Sequence, residues 1–309
     1  MKKKLNWAAT ALGTAAAGVL GGAWYAYDNA FRADARRIAD VREIPEAGCE
    51  HKEVSLRNIE ILLSTPYERV GITSRDGLKL QGKYYEGRPG APLLLFFHGY
   101  RSTSERDGSG GFSICREKGW NAMMADQRGH GESEGRTITF GVKERFDVLD
   151  WIDWAVDRFG EEQEIYLVGV SMGAATVLMA AGEGFPPQVK GVWADCGYSS
   201  VEGVLRHTIR HRRMPEKAAW AATRLGARLF GGFDPCEKSP LEAVKSASVP
   251  ILLIHGEGDG IVPHEMALEL QRACAAPVEL VSVPGACHGM SFYDGYAEYR
   301  AAVERLIRE

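Results

Sequence analysis

Six short apolar runs, each closed by turn residues and alternating with helix-like stretches, constrain this chain more than any other feature. The runs cover 92–97, 120–125, 164–170, 189–194, 250–254 and 278–283, while helical patterns cover 142–159, 172–181, 264–274 and 292–307. A strand buried on both faces has no solvent side, so it reads as unbroken apolar sequence and needs helices above and below it. The alternation therefore predicts an α/β fold with a mostly parallel sheet flanked by helices. Upstream, 67–73 and 78–85 flank Arg75-Asp76-Gly77. Asp-Gly suits a tight turn, so the sheet is expected to open with antiparallel strands.

One interval breaks the alternation. Between 197 and 248 no strand pattern occurs, and the helical stretches there carry Arg206, Arg210, Arg212, Arg213, Lys217, Arg224 and Arg228. Such an insertion is expected to lie over the carboxyl ends of the strands, where open α/β sheets bind ligands, as a small helical cap with a solvated basic face. That face would suit acyl groups with acidic heads or an anionic membrane surface.

The amino terminus differs in kind. Lys2, Lys3 and Lys4 precede 5–27, an uncharged stretch about as long as a membrane-spanning helix. Trp7 at one end and Trp24, Tyr25 and Tyr27 at the other would sit at headgroup level, so residues 1–27 are expected to form a single-pass anchor. The basic start and the small residues 21–23 also fit a cleaved secretory signal, which would release the protein. The lysine cluster with the terminal amine outweighs Arg32, Arg36 and Arg37, which places the folded domain outside the cytoplasm. Residues 28–66 read as a surface helix followed by a connector that spaces domain 67–309 from the membrane. A net charge of −4 lacks the basic excess that phosphate-backbone binding needs, so nucleic acid is not an expected partner. Six cysteines without C-x-x-C spacing signal neither a zinc site nor a dense disulfide framework.

Two Gly-x-Ser-x-Gly patterns occur. Gly131-Glu132-Ser133-Glu134-Gly135 has neither a strand before it nor a helix after it, and reads as a decoy. Gly169-Val170-Ser171-Met172-Gly173 follows an apolar run and opens a helical one, the strand-turn-helix context that exposes a nucleophilic hydroxyl. Serine needs an adjacent base, and in this context the chain order is nucleophile, acid, histidine. His288, in a Gly-rich loop after the last run, suits the base better than His264, which opens a predicted helix. Asp259, just after the run 250–254, suits the acid that orients the imidazole, with Glu257 as the alternative. An oxyanion also needs two positioned N–H donors, assigned to Met172 and to Tyr100 in His98-Gly99-Tyr100. His207 and His211, one helical turn apart, lack the glutamate of a zincin-type pattern, so neither a metal nor an organic cofactor is expected. Cys287, beside the candidate base, is expected to pack.

The combination of His98-Gly99, the stretch from Asp126 to Ser133 reading Asp-Gln-Arg-Gly-His-Gly-Glu-Ser, the Ser171 elbow, Asp259 and His288 resembles the α/β-hydrolase superfamily. Within it the chain is similar to the serine-aminopeptidase-like or BEM46-like hydrolases, many of them membrane-anchored. The resemblance runs from about Pro66 to the carboxyl end. It implies that the Asp126 to Ser133 stretch is a structural loop, and that the chain hydrolyses an acyl ester or thioester through a Ser171 acyl-enzyme. The expected substrate is a small-molecule or lipid-like acyl compound. Amidase or aminopeptidase activity is the alternative, with Glu202 as a weak candidate for holding a substrate amine. A non-catalytic scaffold on the same fold is the reading from outside enzymology.

Overall fold

The computed structural model describes residues 2–43 and 50–307, with side chains of the first helix described from residue 16 onward. Cys49 and the side chains of Lys2, Lys3, Lys4 and Trp7 thus lie outside the described residues. Helices α1 (Lys2–Ala30) and α2 (Lys52–Ser64) precede strands β1 (Glu68–Thr73) and β2 (Lys79–Tyr85). Then follow β3 (Leu93–Phe97), α3 (Ser104–Lys118), β4 (Asn121–Ala125), α4 (Glu144–Phe159), β5 (Ile165–Val170), α5 (Met172–Ala181) and β6 (Val189–Asp195). The cap holds α6 (Val201–His211), α7 (Glu216–Gly226) and α8 (Pro240–Ala243). The chain continues through β7 (Ile251–Gly256), α9 (Glu265–Ala273), β8 (Val278–Val283), α10 (Ser291–Asp294) and α11 (Tyr296–Leu306).

The eight strands form one sheet in the order β1-β2-β4-β3-β5-β6-β7-β8. All the expected strands are present. Strand β2 runs antiparallel to both β1 and β4, while β3 to β8 are mutually parallel. The central parallel strands β3 and β5 are apolar because both faces are covered. Leu95, Leu167 and Val192 face a core shared with Trp151 of α4 and Val177 of α5, and Phe96, Val168 and Trp193 face one shared with Phe112 of α3 and Tyr299 of α11. Arg128 ties this frame together, bonding bidentately to buried Asp147 of α4 (2.5 and 2.7 Å) and to Asp76 of the β1–β2 turn (2.8 Å).

Helix α3 has no counterpart in the sequence pattern, because Gly108, Gly110 and Gly111 lower helix propensity. Packing explains them. A Cβ at Gly111 would stand 2.7 Å from Phe96 and 3.1 Å from Trp193, so the helix lies on the sheet at a distance that only glycine permits. The caps supply what propensity lacks: Thr103 accepts from the Arg106 N–H at 3.2 Å, and Gly119 closes the helix at φ 68°. The pattern over 292–307 divides at Gly295 into α10 and α11.

The amino-terminal expectations need correction. Among the described residues no helix is long and apolar enough to cross a membrane, so the expected anchor is not supported. The last turns of α1 instead pack on the cap: Ala23 and Phe31 are fully buried, and Tyr27 is nearly so. A boundary at residue 27 therefore cuts through a packed helix. The order within 28–66 is also reversed, since the surface helix, α2, comes last. It lies against α3, with Ile59 and Leu62 buried. The basic cap face is solvated at Arg210, Arg212, Arg213 and Lys217, which are exposed, and is partly neutralised by acidic neighbours. Arg206 bonds to Glu202 (2.6 Å) and Glu216 (2.9 Å), while Arg224 and Arg228 share Asp234.

Replacing Gly111 with Leu should force α3 off the sheet and destabilise the fold by about 2–3 kcal/mol, read as a shifted denaturant midpoint. An unchanged midpoint would show that α3 has room that the Phe96 and Trp193 contacts deny it.

Candidate active site

Strand β5 delivers Ser171 to the edge of the sheet, and α5 begins at the next residue. Between them Ser171 adopts φ 56° and ψ −112°, a left-handed turn that a side-chain-bearing residue enters only at a cost in strain. The flanking glycines make it possible. A Cβ at Gly169 would sit 2.3 Å from the Gly173 carbonyl oxygen, and one at Gly173 would sit 1.9 Å from that of Phe97. The turn is pinned to the neighbouring strand by the Ser171 N–H donating to the Asp195 carbonyl at 2.8 Å.

Loops after β8 and β7 bring the other two groups. His288 Nε2 lies 2.9 Å from Ser171 Oγ, and His288 Nδ1 lies 2.7 Å from Asp259 Oδ2. The second Asp259 oxygen accepts from the N–H groups of Ile261 (2.9 Å) and Val262 (2.8 Å). Burial alone would raise the Asp259 carboxyl, but hydrogen bonding by His255 and His288, with further help from the Val262 N–H, holds it below its usual carboxylate range. A buried anion thus faces Nδ1 and fixes the proton there, leaving Nε2 free to accept from serine. Glu257, the alternative acid, is exposed, and His264 bonds instead to Ser282 (2.8 Å).

Two further groups escaped the sequence reading. His255 is buried four residues before Asp259, donates from Nε2 to the Val262 carbonyl at 2.8 Å, and stands 3.3 Å from Asp259 Oδ2. The His255-to-Asp259 spacing is visible in sequence, but only folding puts His255 and His288 on the same Asp259 oxygen. Asp195, at the end of β6, accepts from the Tyr299 hydroxyl (2.9 Å), which itself accepts from Trp193 Nε1 (3.1 Å). Its other oxygen, Oδ1, is buried without a partner among the described residues, and burial pushes the carboxyl up to about 6.

The Met172 N–H lies in the first turn of α5, where amides have no intrahelical acceptor and the helix dipole favours negative charge. Tyr100 follows β3 on a loop held from several sides. Gly99 N–H donates to Asp107 (2.7 Å), Arg101 N–H to His130 Nε2 (3.1 Å), and the Tyr100 hydroxyl to the Ala30 carbonyl (2.9 Å). Burial pushes that phenol up to about 12, so it stays a donor. Among the described residues neither the Tyr100 nor the Met172 N–H has an acceptor in the chain.

Other expectations resolve simply. The Ser133 hydroxyl donates to the Asp126 carbonyl (2.6 Å) and accepts from the Gln81 N–H (2.8 Å), as suits a structural loop. His207 bonds to the Gly260 carbonyl (3.0 Å), and Glu202 is engaged by Arg206 and therefore is not a free site for an amine. Cys287 is a partly exposed free thiol.

Two cavities meet at Ser171 and Tyr100. The larger, about 690 Å³, runs between α1, α6 and α7 along Ala26, Val204, Leu205 and Ala219. The smaller, about 310 Å³, is bordered by His288, Asp107, Asp195, Trp193 and Tyr299.

Comparison with known proteins agrees with this architecture. The family described as alpha/beta hydrolase fold matches residues 92–214, which hold Tyr100 and Ser171, and the family described as TAP-like protein matches 232–309, which hold Asp259 and His288. YqkD of Bacillus subtilis is 27% identical over 61% of this chain, and the match spans 62% of YqkD, less than two thirds of its length. The bifunctional esterase/perhydrolase DCH of Acinetobacter calcoaceticus is 24% identical over 71% of this chain and 92% of its own. An esterase of Pyrococcus furiosus superposes with a TM-score of 0.63 at 23% identity, over 80% of this chain and 92% of its own. The chain has the α/β-hydrolase fold.

The loop that carries Arg101 gives a pH test. Burial, with repulsion from His98, lowers His130 from 6.5 to about 3. The unfolded chain therefore binds one proton more between those values, and the stability contributed by neutral His130 is complete above about pH 6.5 and lost as pH falls toward 3. His130→Gln should reduce the slope of unfolding free energy against pH in that window by up to about 1.4 kcal/mol per pH unit. Denaturant titrations across the window measure it, and an unaltered slope would assign the acid sensitivity to another group.

Proposed function

We propose that the chain is a serine hydrolase that cleaves an acyl ester or thioester through a Ser171 acyl-enzyme. One observation carries the reading: the continuous chain of hydrogen bonds from Ser171 Oγ through both His288 nitrogens to buried Asp259. The esterase and perhydrolase named among the relatives support hydrolase activity generally.

In this reading Ser171 Oγ attacks the substrate carbonyl carbon while His288 Nε2 takes the hydroxyl proton, and Asp259 stabilises the imidazolium that results. Charge gathers on the former carbonyl oxygen, where the N–H groups of Tyr100 and Met172 are assigned as donors; losing one such donor typically costs about 10² to 10³ in rate. Collapse of the tetrahedral species breaks the bond to the alcohol or thiol, which leaves with the proton from His288. Water then repeats the sequence on the acyl-enzyme and restores the free serine. No step calls for a metal or organic cofactor. Membership of the serine-aminopeptidase-like branch is part of this proposal, supported by the Asp126 to Ser133 loop packed beside His98.

A second reading, cleavage of aminoacyl amides, is favoured by one observation. The unpartnered Asp195 Oδ1 belongs to a residue bordering the smaller cavity, where an acidic group could hold a substrate amine.

The test is labelling of the full chain by a fluorophosphonate probe, together with turnover of p-nitrophenyl esters and of aminoacyl p-nitroanilides. Both labelling and turnover should vanish in Ser171→Ala, and Asp259→Asn should lower kcat by about 10⁴, since the wrong tautomer then faces serine. Labelling that persists in Ser171→Ala sinks the assignment, and anilide turnover exceeding ester turnover selects the second reading.

A further inference from the structure

The larger cavity has an unexpected wall. Gly22, Ala26 and Ala30 stand one turn apart on α1 and all three border it, facing Val204 and Leu205 across a space that begins at Ser171 and Met172. Helix α1 is held there by contacts at its carboxyl end. Its last carbonyls, on Asn29 and Ala30, accept from the Arg101 guanidinium (2.8 Å) and the Tyr100 hydroxyl (2.9 Å), so the loop assigned to the oxyanion caps the helix. Trp24 meets Phe230 of the cap edge-on at 5.0 Å, and Tyr27 bonds to Thr137 at 2.9 Å.

The cavity is lined mainly by aliphatic and aromatic side chains, and its volume of about 690 Å³ is in the range that buries most of a ligand of moderate size. Side chains that stay exposed despite being apolar border it: Tyr25 on α1, Met214 in the cap and Ile261 beside Asp259. Resting on the serine-hydrolase reading above, we infer that this cavity takes the aliphatic chain of a medium- to long-chain acyl ester, and that α1 is its specificity-determining wall. An acyl carbonyl seated at Ser171 directs its chain between α1 and α6, where each buried methylene favours binding about fourfold. The short side chains at 22, 26 and 30 leave the room that the chain occupies.

Two neighbouring glycines supply the experiment. A Cβ at Gly21 or Gly22 meets nothing within 4 Å, so either position accepts a side chain, but only Gly22 borders the cavity. In the full chain, kcat/KM should rise from p-nitrophenyl acetate to the dodecanoate. Gly22→Trp should lower kcat/KM for the dodecanoate at least about tenfold and leave the acetate within about twofold, with Gly21→Trp matching wild type on both. Equal chain-length profiles in all three proteins, or a wild type that prefers acetate, would overturn the inference while leaving the hydrolase reading standing. Absence of fluorophosphonate labelling in wild type would instead remove the hydrolase reading and the inference together.

Discussion

The structure turns on a single close approach: the backbone of α5 at Gly173 lies against the carbonyl of Phe97, so near that a Cβ there would stand 1.9 Å from that oxygen. That contact allows β5 to reverse into a helix within one residue, and the reversal holds Ser171 at φ 56° with its hydroxyl toward His288. Strain at such a site persists only where the surroundings over-determine it. Here the sheet does so, through the parallel pairing of β5 with β3 and β6 and the bond from Ser171 N–H to Asp195.

Electrostatics follows from the same packing. Asp259 has a side chain with no exposure, yet it stays ionised because two backbone amides and two histidines converge on it. A buried carboxyl with fewer such partners is shifted upward, and Asp195 shows the contrast nearby. With one hydrogen bond from Tyr299 and an unpartnered second oxygen, it is pushed up by burial. The two carboxyls thus differ in acidity: converging donors hold Asp259 low, while burial with fewer donors raises Asp195.

Much of this was legible in the sequence. Strands and the elbow helix fall where apolar runs and the Gly-x-Ser-x-Gly context place them, since burial on both faces leaves a signature independent of partners. Helix α3 was not legible, because its glycines answer to Phe96 and Trp193, residues distant in sequence. The packing of helix α1 was not legible for a related reason. An uncharged stretch of small and aromatic residues suits a bilayer and a helical cap equally well by composition. Its sequence does not show that Ala23, Tyr27 and Phe31 are buried. The exposed arginines of the cap were legible, but not the pairing of Arg206 with Glu202 and Glu216 or of Arg224 with Asp234.

By itself the sequence determined the layered sheet, the position of the strained serine and the candidates for its base and acid, because each depends on local residue type and chain order. Tertiary structure alone decided that His255 shares the Asp259 carboxylate, that Asp195 keeps an oxygen without a donor, and that α1 walls the cavity beside Ser171. Those facts arise from contacts between segments far apart along the chain, and no periodicity or motif encodes the distance between such segments.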